Sequence, residues 1–369
     1  MSLSPEKSPV TSLFEQVQDS LLSTGTQGYL NKVEITREAE LTYEMILGRQ
    51  RRWYRWQDGY SDEIGIEKDR KLPLATWYAG LADQSEIDVL SFRPGKRLTL
   101  LDRRGHKPHV IKGFRASRFA SMVARYELAH DALAGTAVRA PEIIEHDYEN
   151  ASLIMVCDEG DRLRLSYESS DVFHDIGEAL RCFQDTPTTV IPDEFHSADE
   201  LVVLGKRVKR MAAAGVEAPA GYERLFERLS QAQETLPGEC LALAHRDLHD
   251  KQFVAHPHYL TLLDFDLLCL ADNALDAANL LAHLVLRQLQ DVQGATQASI
   301  DRAGKKLISG LERNAETGFW ERLRFYQATT FSRLALVYSL RPRWTGLVPD
   351  LVVMGHRCLD DLEKIGRQK

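Results

Sequence analysis

One stretch restricts the fold of this chain more than any other. It is HRDLHDKQ, from His245 to Gln252, followed by LLDFD, from Leu262 to Asp266. Between them QFVA and YLTLLDF flank His256-Pro257-His258, the pattern of two short strands joined by a tight turn. That hairpin folds the chain back on itself, so Asp247 and Asp264, 264 − 247 = 17 positions apart, converge on one site. Two such carboxylates suit phosphoryl transfer, in which one orients an attacking hydroxyl and another holds magnesium against nucleotide phosphates. A single loop aspartate is usually just solvated, so the reading rests on the pair and on what precedes it.

What precedes it is a sheet signature. IDVLSFR (87–93), a Pro94-Gly95 turn, KRLTLLDR (96–103), a turn at Gly105 and HVIKGF (109–114) read as three strands. Phe119, Met122, Val123, Tyr126 and Leu133 then recur at helical spacing over about 117–134, with Gly135 placed to end the helix. EIIEHDY and SLIMVCD are two further strands. Lys112 alternates with Val110 along its strand, and Glu127 continues the Phe119, Val123 row of the helix. The expected arrangement is a buried Lys112–Glu127 pair that presents the ammonium to the α- and β-phosphates of ATP.

Beyond Gly160 the periodicity is helical: 171–185, 197–214, 220–234, 274–291, 296–314, 319–340 and 347–365, interrupted by the insert at 252–264. The fold class is therefore α+β, with a sheet-rich N-lobe over 31–157, including an extension before its core, and a helical C-lobe over 158–369. Residues 1–30, rich in Ser, Thr, Gln and Pro, read as a mobile terminus, although LFEQVQDSLL has the makings of a helix. Residues 33–86, with RQRRWYRW at 49–56 and Trp77-Tyr78, read as strands and turns.

Charge narrows the partners. Lys plus Arg is 46 against 54 Asp plus Glu, a net charge of −8, which gives phosphate backbones little to attract them, so no nucleic-acid partner is expected. The interleaved Arg and Trp at 49–56 are then an ordinary sheet face rather than a base-stacking platform. The five cysteines are scattered without a CxxC pair, which suits reduced thiols. With no apolar run long enough to span a bilayer, no membrane association is expected, and the cytoplasm is the expected compartment.

The two C-lobe motifs, together with Lys112 and Glu127, make the chain resemble the aminoglycoside phosphotransferase and choline kinase-like family, which has the protein-kinase-like fold; H-R-D and D-F-G are kinase signatures. The resemblance runs from about Ile87 to the C-terminus. It implies that Lys112 and Glu127 form the N-lobe ion pair, that Asp247 is the catalytic base and that Asp264 is the principal magnesium ligand. Gln252 falls where the family has a metal-binding Asn, with Asp266 a further candidate ligand. Asp276, in ADNALDAANLL, falls on an aspartate that braces the catalytic loop, and His245 packs behind that loop. Asp158-Glu159-Gly160 resembles the hinge: Met155 lines the back of the pocket, and the Val156 carbonyl and Asp158 N–H face the adenine. Three features depart from the pattern. FRPGKR offers only Gly95 in place of a glycine-rich loop, with Lys96 or Arg97 to assist. Gln252 replaces Asn. Asp266 stands where protein kinases have Gly, with no A-P-E segment after it, which disfavours protein substrates.

The function expected is an ATP- and Mg2+-dependent kinase acting on a hydroxyl of a small molecule: a sugar, an amino alcohol or an aminoglycoside. The alternative is a pseudokinase that binds nucleotide, or none, and serves as an interaction module. The sequence does not specify the acceptor, ATP against GTP, the role of residues 1–86, or the oligomeric state.

Overall fold

The computed structural model describes residues 8–24, 27–36, 40–48, 50–57, 59–164, 171–187, 193–313 and 316–367. The chain opens with helix α1 (Pro9–Thr24) and a four-stranded antiparallel sheet of β1 (Gly28–Ile35), β2 (Leu41–Leu47), β3 (Gln50–Gln57) and β4 (Tyr60–Glu63), in that spatial order. Period-two alternation gives the sheet two apolar faces. Leu30, Val33, Leu41, Tyr43 and Met45 join the main core, while Trp53 joins Leu72, Leu74, Ile87 and Phe92 in a second core above it.

The expectation of a mobile terminus over 1–30 is corrected for Pro9–Thr24, while residues 1–7, 25 and 26 lie outside the described residues. Val10, Leu13 and Val17 form an i, i+3, i+7 stripe that is buried in the main core, so α1 is a packed element. Three arginines of the 49–56 run, Arg51, Arg52 and Arg55, are taken up within the sheet. Arg51 meets Glu44 at 3.4 Å, Arg52 meets Glu63 at 3.5 Å and Arg55 meets Glu40 at 3.7 Å. Trp77 and Tyr78 lie on a short helix, α2 (Pro73–Ala79), which begins at a proline in its first turn rather than continuing the strands.

Next comes a five-stranded antiparallel sheet made by β5 (Ile87–Arg93), β6 (Arg97–Asp102), β7 (His109–Phe114), β9 (Ile143–Asp147) and β10 (Ser152–Val156), ordered β5-β6-β7-β10-β9. Helix α3 (Ala116–Ala132) and the two-residue β8 (Val138–Arg139) lie between β7 and β9. Lys112 pairs with Thr99 on one side and Leu153 on the other, at the centre of the sheet.

The C-lobe holds β11 (Asp161–Arg162), α4 (Val172–Asp185), β12 (Glu194–Phe195), α5 (Ser197–Ala213), α6 (Tyr222–Glu234), β13 (Leu241–Ala244), β14 (Phe253–Ala255), β15 (Leu260–Leu262) and β16 (Cys269–Asp272). Helices α7 (Leu275–Leu289), α8 (Gln297–Leu311), α9 (Phe319–Tyr338) and α10 (Val348–Gly366) complete it. The hairpin β14–β15 is flanked by β11 and by β8, and Leu260 pairs with Val138 in parallel, so a strand from before position 157 belongs to the lower lobe's sheet. Among the described residues no helix is long and apolar enough to cross a membrane. All five cysteines are free, two of them buried and Cys240 exposed.

Candidate active site

The site is built around two loops that His245 ties together. Strand β13 delivers His245, which is fully buried and edge-on to Phe265 with ring centroids 5.4 Å apart. Its Nε2 lies 2.8 Å from the Leu263 carbonyl and its Nδ1 lies 3.3 Å from the Asp247 amide nitrogen. A carbonyl only accepts, so Nε2 carries the proton and Nδ1 receives the Asp247 N–H. One imidazole thus sets the spacing between the loop that carries Asp247 and the loop that carries Asp264.

Asp276, in the first turn of α7, accepts the N–H groups of His245 at 2.7 Å and Arg246 at 2.8 Å. Burial raises its carboxyl above the usual range, and those two amides work against that rise. Arg246 and Asp264 both have φ in the left-handed region, +70° and +68°, where side chains other than glycine are strained. The Asp276 bonds and the His245 bonds are what hold the two loops in that conformation.

On the other side of the cleft, Lys112 Nζ sits 2.8 Å from Asp264 Oδ1, 2.6 Å from Asp266 Oδ1 and 2.7 Å from the Tyr126 hydroxyl. Arg97 Nη1 reaches Asp264 at 3.0 Å and Asp266 at 2.8 Å. Burial alone would raise the Asp264 carboxyl, but Lys112 and Arg97 outweigh it and hold the group well below the ordinary carboxylate range. Arg125 of α3 completes the cluster by donating to the Asp266 carbonyl at 2.7 Å.

The expected Lys112–Glu127 pair is absent. Glu127 is exposed, and its carboxylate lies 3.7 Å from His146 Nε2. The reason is helical geometry: eight positions past Phe119 the side chain has rotated about 80° off that residue's line. The buried stripe runs instead through Phe119, Met122, Tyr126 and Ala129, and Tyr126 is the residue that meets Lys112.

The turn before β6 is Arg93-Pro94-Gly95-Lys96, closed by a bond from the Lys96 N–H to the Arg93 carbonyl at 2.9 Å. Gly95 has φ +63°, the third-residue conformation of a type II turn. Asp69 accepts its N–H, and Arg115 donates to its carbonyl. From β1, Glu34 reaches the same turn, 3.2 Å from Arg93 and 3.6 Å from Lys96. Burial raises the Glu34 carboxyl, yet Lys32, Arg93 and Lys96 together bring it down to about 2.

Met155 is buried on β10 opposite Val110, and the Val156 N–H is taken by the Glu142 carbonyl at 2.9 Å. Asp158 lies 3.8 Å from His256 Nε2. Gln252 ends a short 3-10 turn, and its carbonyl accepts the Leu263 N–H at 2.8 Å, which places it beside the Asp264 loop. The structure thus gathers Lys112, Asp264 and Asp266 in one charged cluster, ties the backbone of Asp247 and Gln252 to the Asp264 loop through His245 and Leu263, braces His245 with Asp276, and leaves Glu127 outside.

Tyr126 and Glu34 were missed by sequence reasoning, and Arg97 was seen only as an aid to the turn. Arg97 was legible in the period of two: Thr99 pairs with Lys112, so Arg97, two residues earlier, shares that face. Glu34 carried no such signal, because its role depends on how a separate sheet docks.

Comparison with known proteins agrees with this geometry. Residues 103–307, more than half of the chain, match the model of the phosphotransferase enzyme family. No curated protein sequence matches the chain. Among solved structures, choline kinase LicA from Streptococcus pneumoniae aligns with TM-score 0.55 at 15% identity, covering 78% of this chain and 98% of that one. A choline/ethanolamine kinase family protein from Mesorhizobium loti aligns with TM-score 0.50 at 15% identity, over 81% and 92% of the two chains. An amicoumacin kinase in complex with AMP-PNP, Ca2+ and its ligand aligns with TM-score 0.52 at 13% identity, over 76% and 89%. At such identities the likeness is one of fold, and that fold is the protein-kinase-like one. The family match, resting on the segment that contains Lys112, Asp247 and Asp264, supplies the rest: the chain belongs to the phosphotransferase enzyme family, as a kinase that acts on a hydroxyl group.

Proposed function

We propose that this phosphotransferase uses ATP and Mg2+ to phosphorylate a hydroxyl of a small molecule, with the nucleotide between the lobes 31–157 and 158–369. The observation that carries the reading is the convergence at Asp264. Lys112 from the sheet meets it at 2.8 Å, while His245 bonds its loop to the amide of Asp247. Asp264, Asp266 and the Gln252 amide are hard oxygen donors of the kind Mg2+ takes. When bound, an ion held by Asp264, Asp266 and Gln252 would neutralise charge that develops on the phosphates.

The protein's own residues do the remainder. Asp247 orients the acceptor O–H and takes up its proton as the phosphoryl group moves. Lys112 offsets the charge of the α- and β-phosphates, with Arg97 and the Gly95 turn above them. Met155 backs the adenine, and the Val156 carbonyl and Asp158 N–H meet its edge. Asp276 and His245 act by positioning Asp247.

A coupled assay of ADP release with Mg2+ and ATP, run across sugars, amino alcohols and aminoglycosides, tests this reading. At least one acceptor should stimulate release, and Asp247→Asn should lower that rate by about a hundredfold or more. No nucleotide binding by calorimetry and no stimulated release with any class would contradict it.

A further inference from the structure

Helix α7 buries four polar side chains, Asp276, Asn279, His283 and Arg287. At about 100° per residue they fall within about 80° of one another, so they form one stripe along the helix. Each of them meets the catalytic loop, and in chain order. Asp276 accepts the N–H groups of His245 and Arg246, and the Asn279 amide donates to the Arg246 carbonyl at 3.0 Å. His283 lays its ring against that of His249, with centroids 4.8 Å apart. Arg287 grips Asp250 through two bonds, Nε to Oδ2 at 2.8 Å and Nη2 to Oδ1 at 2.9 Å.

The lengths match as well. From Asp276 to Arg287 the helix rises about 16 Å, and the chain from His245 to Asp250 reaches at most about 18 Å. The stripe therefore holds the loop on both sides of Asp247, whose side chain forms no hydrogen bond or ion pair among the described residues. Stability alone does not explain the two downstream contacts. The His283 Nδ1 is buried with no hydrogen-bond partner, a cost that an apolar ring would avoid. A buried ion pair is often no more stabilising than apolar residues of its size, but the forked bonds of a guanidinium fix one arrangement. Arg287 is itself held by the Gln290 side-chain oxygen, and the Gln290 amide donates to the Tyr338 hydroxyl of α9 at 3.1 Å.

We propose that Arg287 and His283 are positioning residues for Asp247. They fix the downstream end of the loop as Asp276 and Asn279 fix the upstream end, so the carboxylate meets the acceptor hydroxyl in one place. The inference rests on the reading of Asp247 as the base. A small misplacement of such a group is enough to slow transfer, because the reacting atoms need close and aligned approach. Lys112 and Asp264 are held by other residues, so the nucleotide side of the site should not feel the loss of either anchor.

The test uses the full chain carrying Arg287→Lys, which keeps the charge and loses the fork, or His283→Ala, which leaves no buried charge unpaired should the first variant fold poorly. Each is made in the parent and in Asp247→Asn. Hydrogen exchange is read on the peptide spanning 245–250, and ADP release from Mg2+ and ATP is read with the acceptor class that stimulates the parent most, or with water where none does. Well below melting, each variant should exchange the Arg246 and Asp247 amides about tenfold faster and lower kcat by about tenfold or more. The half-saturating ATP concentration should stay within about twofold of the parent. In the Asp247→Asn background the same changes should lower the rate by less than about twofold, because the group they act through is already lost. Unchanged exchange at those amides, a rate loss as large without Asp247 as with it, or variants that only melt lower would each overturn the inference. A parent that neither binds AMP-PNP nor releases ADP would contradict the kinase reading instead, and the exchange result would then decide the anchoring by itself.

Discussion

Lys112 is held by a phenol and two aspartates, and the residue on the next position of α3 takes no part. The difference is measurable at single residues. Tyr126→Phe removes one acceptor from a buried ammonium without changing volume, which should cost roughly 1–2 kcal/mol and raise the half-saturating concentration of nucleotide. Glu127→Gln alters an exposed carboxylate 3.7 Å from an imidazole, so stability should stay within about 0.5 kcal/mol and nucleotide affinity should not move. Chemical denaturation and nucleotide titration of the two variants check this. A larger effect at Glu127 than at Tyr126 would mean that the helix presents a different face to the sheet.

At the scale of elements, β1 acts as a strap. Its Val33 N–H bonds to the Leu340 carbonyl at 2.8 Å, just past α9, while Glu34 beside it holds the Arg93–Lys96 turn. One strand therefore links the helical lobe to the Arg93–Lys96 turn of the five-stranded sheet. Because the folded carboxyl of Glu34 sits at about 2, below the 4.5 of an unperturbed glutamate, its contribution is fully present above pH 4.5 and is lost as pH falls from there toward 2. Glu34→Gln should therefore melt lower than the parent at pH 6, by roughly 1–2 kcal/mol, and the gap should narrow between pH 4.5 and 2. A gap that does not change with pH in that window would show that Glu34 is not held by its three cations. Elsewhere, α4 and α8 cross at paired glycines: a Cβ on Gly177 would lie 2.2 Å from the Leu307 carbonyl oxygen, and one on Gly310 would lie 2.1 Å from that of His174. Gly177→Ala should destabilise the protein by about 3 kcal/mol or more, since backbone has to move, and urea unfolding measures it.

For the molecule as a whole, the helical lobe and the five-stranded sheet were legible because each depends on local period and turn chemistry. Ile87–Arg93, Pro94-Gly95 and the His245–Asp266 hairpin segment carry those signals within a few residues. What the sequence concealed depends on tertiary docking. The packing of α1 and the reach of Glu34 arise from contacts between segments far apart in the chain. The Lys112 partner was misread by one residue, because Tyr126 and Glu127 differ only in which side of α3 meets the sheet.

The central claim is that Asp264 belongs to the metal and nucleotide while Asp247 belongs to the acceptor. Calorimetric titration of AMP-PNP with Mg2+ into the parent, Asp247→Asn and Asp264→Asn tests it most directly. The account predicts that Asp247→Asn binds within about twofold of the parent, since the cation cluster at Lys112 survives. Asp264→Asn should lose about tenfold or more, since a formal charge facing the metal is gone. Equal losses in both variants, or a loss confined to Asp247→Asn, would contradict that division of roles.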